Sequence, residues 1–72
     1  MNNMRAIRQK RKKTQIAVQM VTGIDQSLLS KFERGERVPT ADDLCRLADY
    51  YRTSTDYLLD RTDEETPYPP KE

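Results

Sequence analysis

Apolar residues recur along the chain in short groups at helical spacing, and capping residues stand between the groups. Met4, Ile7 and Arg11 fall on one face of a first helix over about 3–12, with Arg5, Arg8, Lys10 and Lys12 around it. Thr14 has the side-chain oxygen that an N-cap needs. A second, short helix follows over 15–22, turning Ala17, Val18 and Val21 inward. Gly23 closes it, since glycine takes the left-handed conformation of a helix end without steric penalty. Ile24 points inward and Asp25 caps a third helix over 26–34, whose apolar members are Leu28, Leu29 and Phe32. Gly35 stops that helix and 36–39 form a loop. Thr40 begins a fourth helix over 40–51, with Asp43 three residues on in the manner of a capping box. Its inner stripe is Leu44, Leu47, Ala48 and Tyr51. Ser54 opens a fifth helix over 54–59 through Tyr57, Leu58 and Leu59. The pattern predicts an all-α, compact five-helix domain over 1–60, with Leu29, Phe32, Leu44 and Leu47 in its core and no sheet.

Beyond Asp60 the pattern stops. Asp60, Asp63, Glu64 and Glu65 come close together, followed by Pro67, Pro69 and Pro70. Such a composition is too polar to bury a core of its own, so 61–72 reads as a flexible acidic, Pro-rich tail.

Length and composition narrow the function. A chain of 72 residues holds one domain and has little interior to spare for a catalytic cleft, so its function belongs on the outer surface. There is one Cys and no His, which leaves neither an internal disulfide nor a usual zinc set. Cys45 reads as a partly buried packing residue. No nucleophile–base pair and no Gly-rich phosphate loop is visible, so no enzyme, cofactor or metal site is expected. Neither a signal peptide nor an apolar run of membrane-spanning length occurs, and a cytoplasmic setting with no membrane partner is expected.

The net charge of +1 hides an asymmetry. Residues 1–39 carry nine Lys/Arg against three acids, and residues 40–72 carry four against nine. A basic half joined to an acidic half suits a one-sided polyanion-binding surface, although two solvated helix faces would look the same.

Two short helices joined by a tight glycine turn are the helix-turn-helix arrangement. The run from Thr14 to Gly35, TQIAVQMVTGIDQSLLSKFERG, resembles the lambda-repressor/Cro superfamily, also called the Xre family. Pro39-Thr40 with Leu44, and Ser54 with Asp56-Tyr57-Leu58-Leu59, resemble its last two helices, so the likeness covers about 4 to 60. The resemblance implies a sequence-specific DNA-binding transcriptional regulator. It would be a repressor binding double-stranded DNA as a homodimer on a pseudo-palindromic operator.

Roles carry over by position. Gln15 resembles the family's phosphate-binding glutamine, which also braces the first residue of the recognition helix. Gln26, Ser27, Ser30 and Lys31 match base-reading positions, and Leu28 can also face the groove. Arg34 and Arg37 resemble phosphate contacts, and Arg8 with Glu33 an internal salt bridge. The Lys10–Lys13 cluster, with Lys12 and Lys13 nearest the second helix, serves either solubility or contact with the DNA backbone.

Three positions depart from the family. Gln19 stands for a usual Ala where helices two and three cross, so it fits only by bending outward along that edge. Lys12-Lys13 replace a usual Gly-Leu, which lets the first helix run longer. Thr22 replaces a usual Leu and packs by its methyl group. Tyr50, Tyr51 and Tyr57 divide between core and a patch for a dimer contact. A protein partner (a toxin or an anti-repressor), or an adaptor built on the same fold, is the competing reading.

Overall fold

The computed structural model describes residues 2–67. Five helices follow one another: α1 (Asn3–Lys10), α2 (Gln15–Thr22), α3 (Gln26–Arg34), α4 (Ala41–Tyr51) and α5 (Thr55–Leu58). No strand occurs among the described residues, and none of these helices is long and apolar enough to cross a membrane.

Each helix starts on a side chain that accepts one of the N–H groups left over at a helix beginning. Thr14 accepts from Ala17, Asp25 from Ser27, Thr40 from Asp43 and Ser54 from Tyr57, as the sequence suggests. Asn2 does the same for α1, accepting from Arg5. The helix ends share a second device. Lys12, Gly35, Arg52 and Asp60 each adopt a left-handed φ after α1, α3, α4 and α5. In each case the next residue bonds back five positions: Lys13 to Arg8, Glu36 to Lys31, Thr53 to Ala48 and Arg61 to Asp56. This is the paired closure that satisfies the last free carbonyls.

The expected extension of the first helix to Lys12 is therefore wrong. α1 stops at Lys10, and Lys12 takes φ 58°. This is a left-handed turn, in which a lysine meets steric resistance.

Met4, Ile7, Val18, Ile24, Leu29, Phe32, Leu47, Ala48, Tyr51 and Leu58 form one core, with Leu28, Leu44, Tyr50 and Tyr57 packed half-buried against it. Tyr51 is thus core, its hydroxyl pushed towards a higher pKa by burial and by the Glu33 charge. Tyr50 lies edge-on to it at 5.3 Å. Two expectations fail here. Val21 is not inward but 68% exposed, because Val18 and Ile24 already fill that side of the core and Val21 falls off their stripe. Cys45 is exposed, one position off the inner row of Leu44, Leu47, Ala48 and Tyr51.

Polar side chains of the first twelve residues tie the helix ends together. Asn2 Nδ2 donates to the Phe32 carbonyl at 2.7 Å, Asn3 Nδ2 to that of Tyr57 at 2.8 Å, and Arg11 Nε to that of Tyr51 at 3.0 Å. Each acceptor lies in the last turn of α3, α5 or α4, and the Phe32 and Tyr57 carbonyls also accept from the closing N–H groups of Gly35 and Asp60. Beyond Asp60 the described chain runs back along α1. Asn3 Nδ2 also donates to the Thr62 carbonyl at 3.2 Å, Thr53 Oγ1 donates to that of Glu65 at 2.6 Å, and Lys10 pairs with the Glu65 carboxylate. Residues 68–72 of the expected tail, with Pro69 and Pro70, lie outside the described residues.

Candidate nucleic-acid interface

α2 and α3 meet across the turn at Gly23, Ile24 and Asp25. Gly23 takes φ 78° and its N–H returns to the Gln19 carbonyl, which ends α2 in one step. Thr22 does not pack by its methyl group alone. Its hydroxyl donates to the Val18 carbonyl at 2.8 Å and accepts from the Ile24 N–H at 3.2 Å, pinning the turn. Leu29 and Phe32 fix the inner side of α3. The helical period then turns Ser27, Lys31 and Arg34 to solvent and leaves Gln26 and Ser30 half-exposed. Leu28 packs against the core instead of standing clear of it.

A polar chain begins at the buried Glu33. Its carboxylate accepts from Arg8 Nε at 2.7 Å and Arg8 Nη2 at 2.9 Å, a two-pronged pair. Side-chain exposure is 14% for Arg8 and 6% for Glu33, so the bridge is internal. Glu33 raises the Arg8 pKa by that hydrogen bond, against the opposing effect of burial. Arg8 Nη1 donates to the Lys13 carbonyl at 2.9 Å and so ties the loop before α2 to the bridge.

Glu33 then orients the amides. An ionised carboxylate only accepts, so Gln15 presents Nε2 to Glu33 Oε1 at 3.1 Å. That leaves Gln15 Oε1 to accept from Gln26 Nε2 at 2.8 Å. Reversing either amide would set oxygen against oxygen. Gln26 is left with Oε1 and one Nε2 hydrogen, an acceptor and a donor. Gln15 is left with one Nε2 hydrogen.

An open groove beside this chain is lined by Arg5, Arg8, Gln15, Gln26, Ser30 and Arg34, among others. The structure thus brings Gln15, Gln26, Ser30 and Arg34 together. Ser27 and Lys31 stand on the exposed face of α3 outside the groove wall. Ser27 Oγ is occupied by Asp25, and Ser30 Oγ by Arg34, which also pairs with Glu36. Arg37 lies elsewhere, in a depression with Val38, Pro39 and Leu59. Lys12 and Lys13 are exposed on the turn leading to Thr14. Lys10 and Arg11 instead face Glu65, at salt-bridge distance.

Two participants were missed from the sequence. Arg5 joins the groove one helical turn before Arg8, and that spacing could have marked it. Gln19 does not merely bend outward along the crossing. Its Oε1 accepts from the Gln26 backbone N–H at 2.6 Å, a contact no spacing rule reveals.

A helix-turn-helix family model matches residues 4–58. The chain belongs to the lambda-repressor/Cro-like helix-turn-helix family. No curated protein and no solved structure matches it significantly. The family is one of DNA-binding domains, and the described helix-turn-helix, from Gln15 to Arg34, lies wholly within the match.

Proposed function

We propose that this chain is a sequence-specific transcriptional repressor that binds a pseudo-palindromic operator as a homodimer, in the cytoplasm, with α3 in the major groove. The observation that carries the reading is the Gln26 amide. It stands at the N-terminal end of α3, the end that meets base edges in this motif. It is oriented through Gln15 by Glu33, and its free acceptor and donor match the N6 and N7 edge of adenine. Ser27, Ser30 and Lys31 continue the reading face. Gln15, Arg34, Arg37, Lys12 and Lys13 act on phosphates, and Arg5 joins them.

Size supports dimerisation. α3 has nine residues and spans about 13 Å at 1.5 Å per residue, or about four base pairs at 3.4 Å each. So short a site does not single out one operator, and two copies double it.

Gln26→Ala should weaken binding to the preferred operator by about 1–3 kcal/mol and relax the preference at one base pair of each half-site. Lys12→Ala should weaken binding to every duplex alike and flatten the salt dependence by about one unit. Titrating both variants against operator and random duplex over a salt series separates the two signatures. Equal loss of operator and random binding in Gln26→Ala would contradict base reading by that residue.

A protein partner is the second reading, supported by the apolar side chains that α2 leaves exposed: Ile16 at 55%, Met20 at 78% and Val21 at 68%. An adaptor without a DNA role would show no salt-dependent affinity for random duplex, whereas an antitoxin built on this fold would keep it.

A further inference from the structure

α2 holds the first residue of α3 at two points. Gln15 and Gln19 are four positions apart, so both side chains leave one face of α2 a turn apart. Gln15 takes the Gln26 side-chain amide and Gln19 takes the Gln26 backbone N–H. The second bond satisfies an N–H that the start of α3 leaves without a helical partner. Asp25 does not do this, because its carboxylate accepts from Ser27.

We propose that Gln19 is a positioning residue for DNA sequence reading: its Oε1, on the Gln26 N–H, fixes the first turn of α3 against α2, so that the Gln26 amide meets one base pair. The inference rests on the reading of Gln26 as a base-reading residue. The physical reason is leverage. A glutamine has three side-chain torsions, and anchoring its amide to Gln15 sets one end only. The place of that amide in the groove depends on the backbone from which it grows, and Gln19 anchors that backbone. Phosphate contacts from the arginines and lysines do not pass through this bond. Loss of Gln19 should therefore blur sequence preference without weakening general affinity.

The test uses the full chain with Gln19→Ala, Gln19→Glu, Gln26→Ala and the Gln19→Ala/Gln26→Ala double variant. Each is titrated against the selected operator, the operator changed at the base pair assigned to Gln26, and random duplex. Gln19→Ala should reduce discrimination at that base pair by about three- to tenfold, the scale of one net hydrogen bond, with random-duplex affinity unchanged. Exchange of the Gln26 amide hydrogen should speed up in Gln19→Ala. Gln19→Glu keeps an acceptor, so it should keep the discrimination and the slow exchange while its charge lowers affinity for all duplexes alike. The double variant should lose no more discrimination than Gln26→Ala alone. If Gln19→Ala melts below the assay temperature, Gln19→Met, which fills similar space without an oxygen, takes its place. Retained discrimination in the variant lacking the acceptor, or equal loss on operator and random duplex, overturns the proposal. Full discrimination in Gln26→Ala would instead overturn the base-reading assignment itself.

Discussion

Glu33 accepts three hydrogen bonds, two from Arg8 and one from Gln15. Its removal would strand a guanidinium at 14% exposure and also release the Gln15 amide. Breaking a buried pair from one side costs about 3–5 kcal/mol. Arg8 lines the open groove and keeps its bond to the Lys13 carbonyl, so Glu33→Ala should cost less than that range, about 2 kcal/mol. In a domain holding roughly 5 kcal/mol that is a large share of the stability, and thermal melting of the variant should show it. An unchanged melting temperature would mean that water reaches Arg8 freely. The pairing of Arg8 with Glu33 was legible through the family resemblance. The onward connection to Gln26 was legible only as a bracing role for Gln15, because the direction of each amide depends on which partner is ionised.

At the scale of elements, α3 depends on Asp25 for its start. The Asp25 carboxylate accepts from the Ser27 hydroxyl and then the Ser27 N–H, which together hold its pKa below the ordinary value. A group with a depressed folded pKa stabilises the fold above its unfolded pKa and ceases to do so as pH falls through the folded one. The Asp25 contribution should therefore be complete above about pH 4 and disappear below it. Melting curves against pH for the native chain and Asp25→Asn should converge in that acid range. A constant gap down to pH 2 would show that the Asp25 charge does not stabilise α3. Four of the five caps were legible because Thr, Ser and Asp stand just before apolar periodic runs. The end of α1 was not, because Lys12 carries no mark of a left-handed backbone. Val21 and Cys45 show a related limit: apolar side chains suggest burial, but helical phase and neighbouring core residues decide it.

Across the whole molecule the charge asymmetry becomes a contact. The acidic segment after α5 brings Glu65 to Lys10 and Arg11, beside the turn that leads into α2. We propose that 1–60 forms the DNA-binding domain and that the segment after it is dispensable for folding. Ending the chain after Arg61 should keep the helical content and release Lys10 and Arg11 Nη1 from Glu65, while Arg11 Nε stays on the Tyr51 carbonyl. Affinity for random duplex should rise, and the salt dependence should steepen by about one to two units, at about 0.9 per added phosphate contact. Unchanged binding would show that Lys10 and Arg11 stand outside the DNA surface. Loss of dimerisation on truncation would place the segment in an interface between copies.

On this reading, α3 recognises DNA sequence through an oriented Gln26 amide in a paired molecule. Parallel selection of bound duplexes from a random pool, by the native chain and by Gln26→Ala, tests it most directly. The native chain should select an inverted repeat with centres about one helical turn apart. One adenine in each half-site should be strongly preferred by the native chain and no longer preferred by Gln26→Ala. An unchanged preference at every position in Gln26→Ala, or no enriched sequence for the native chain, would contradict it.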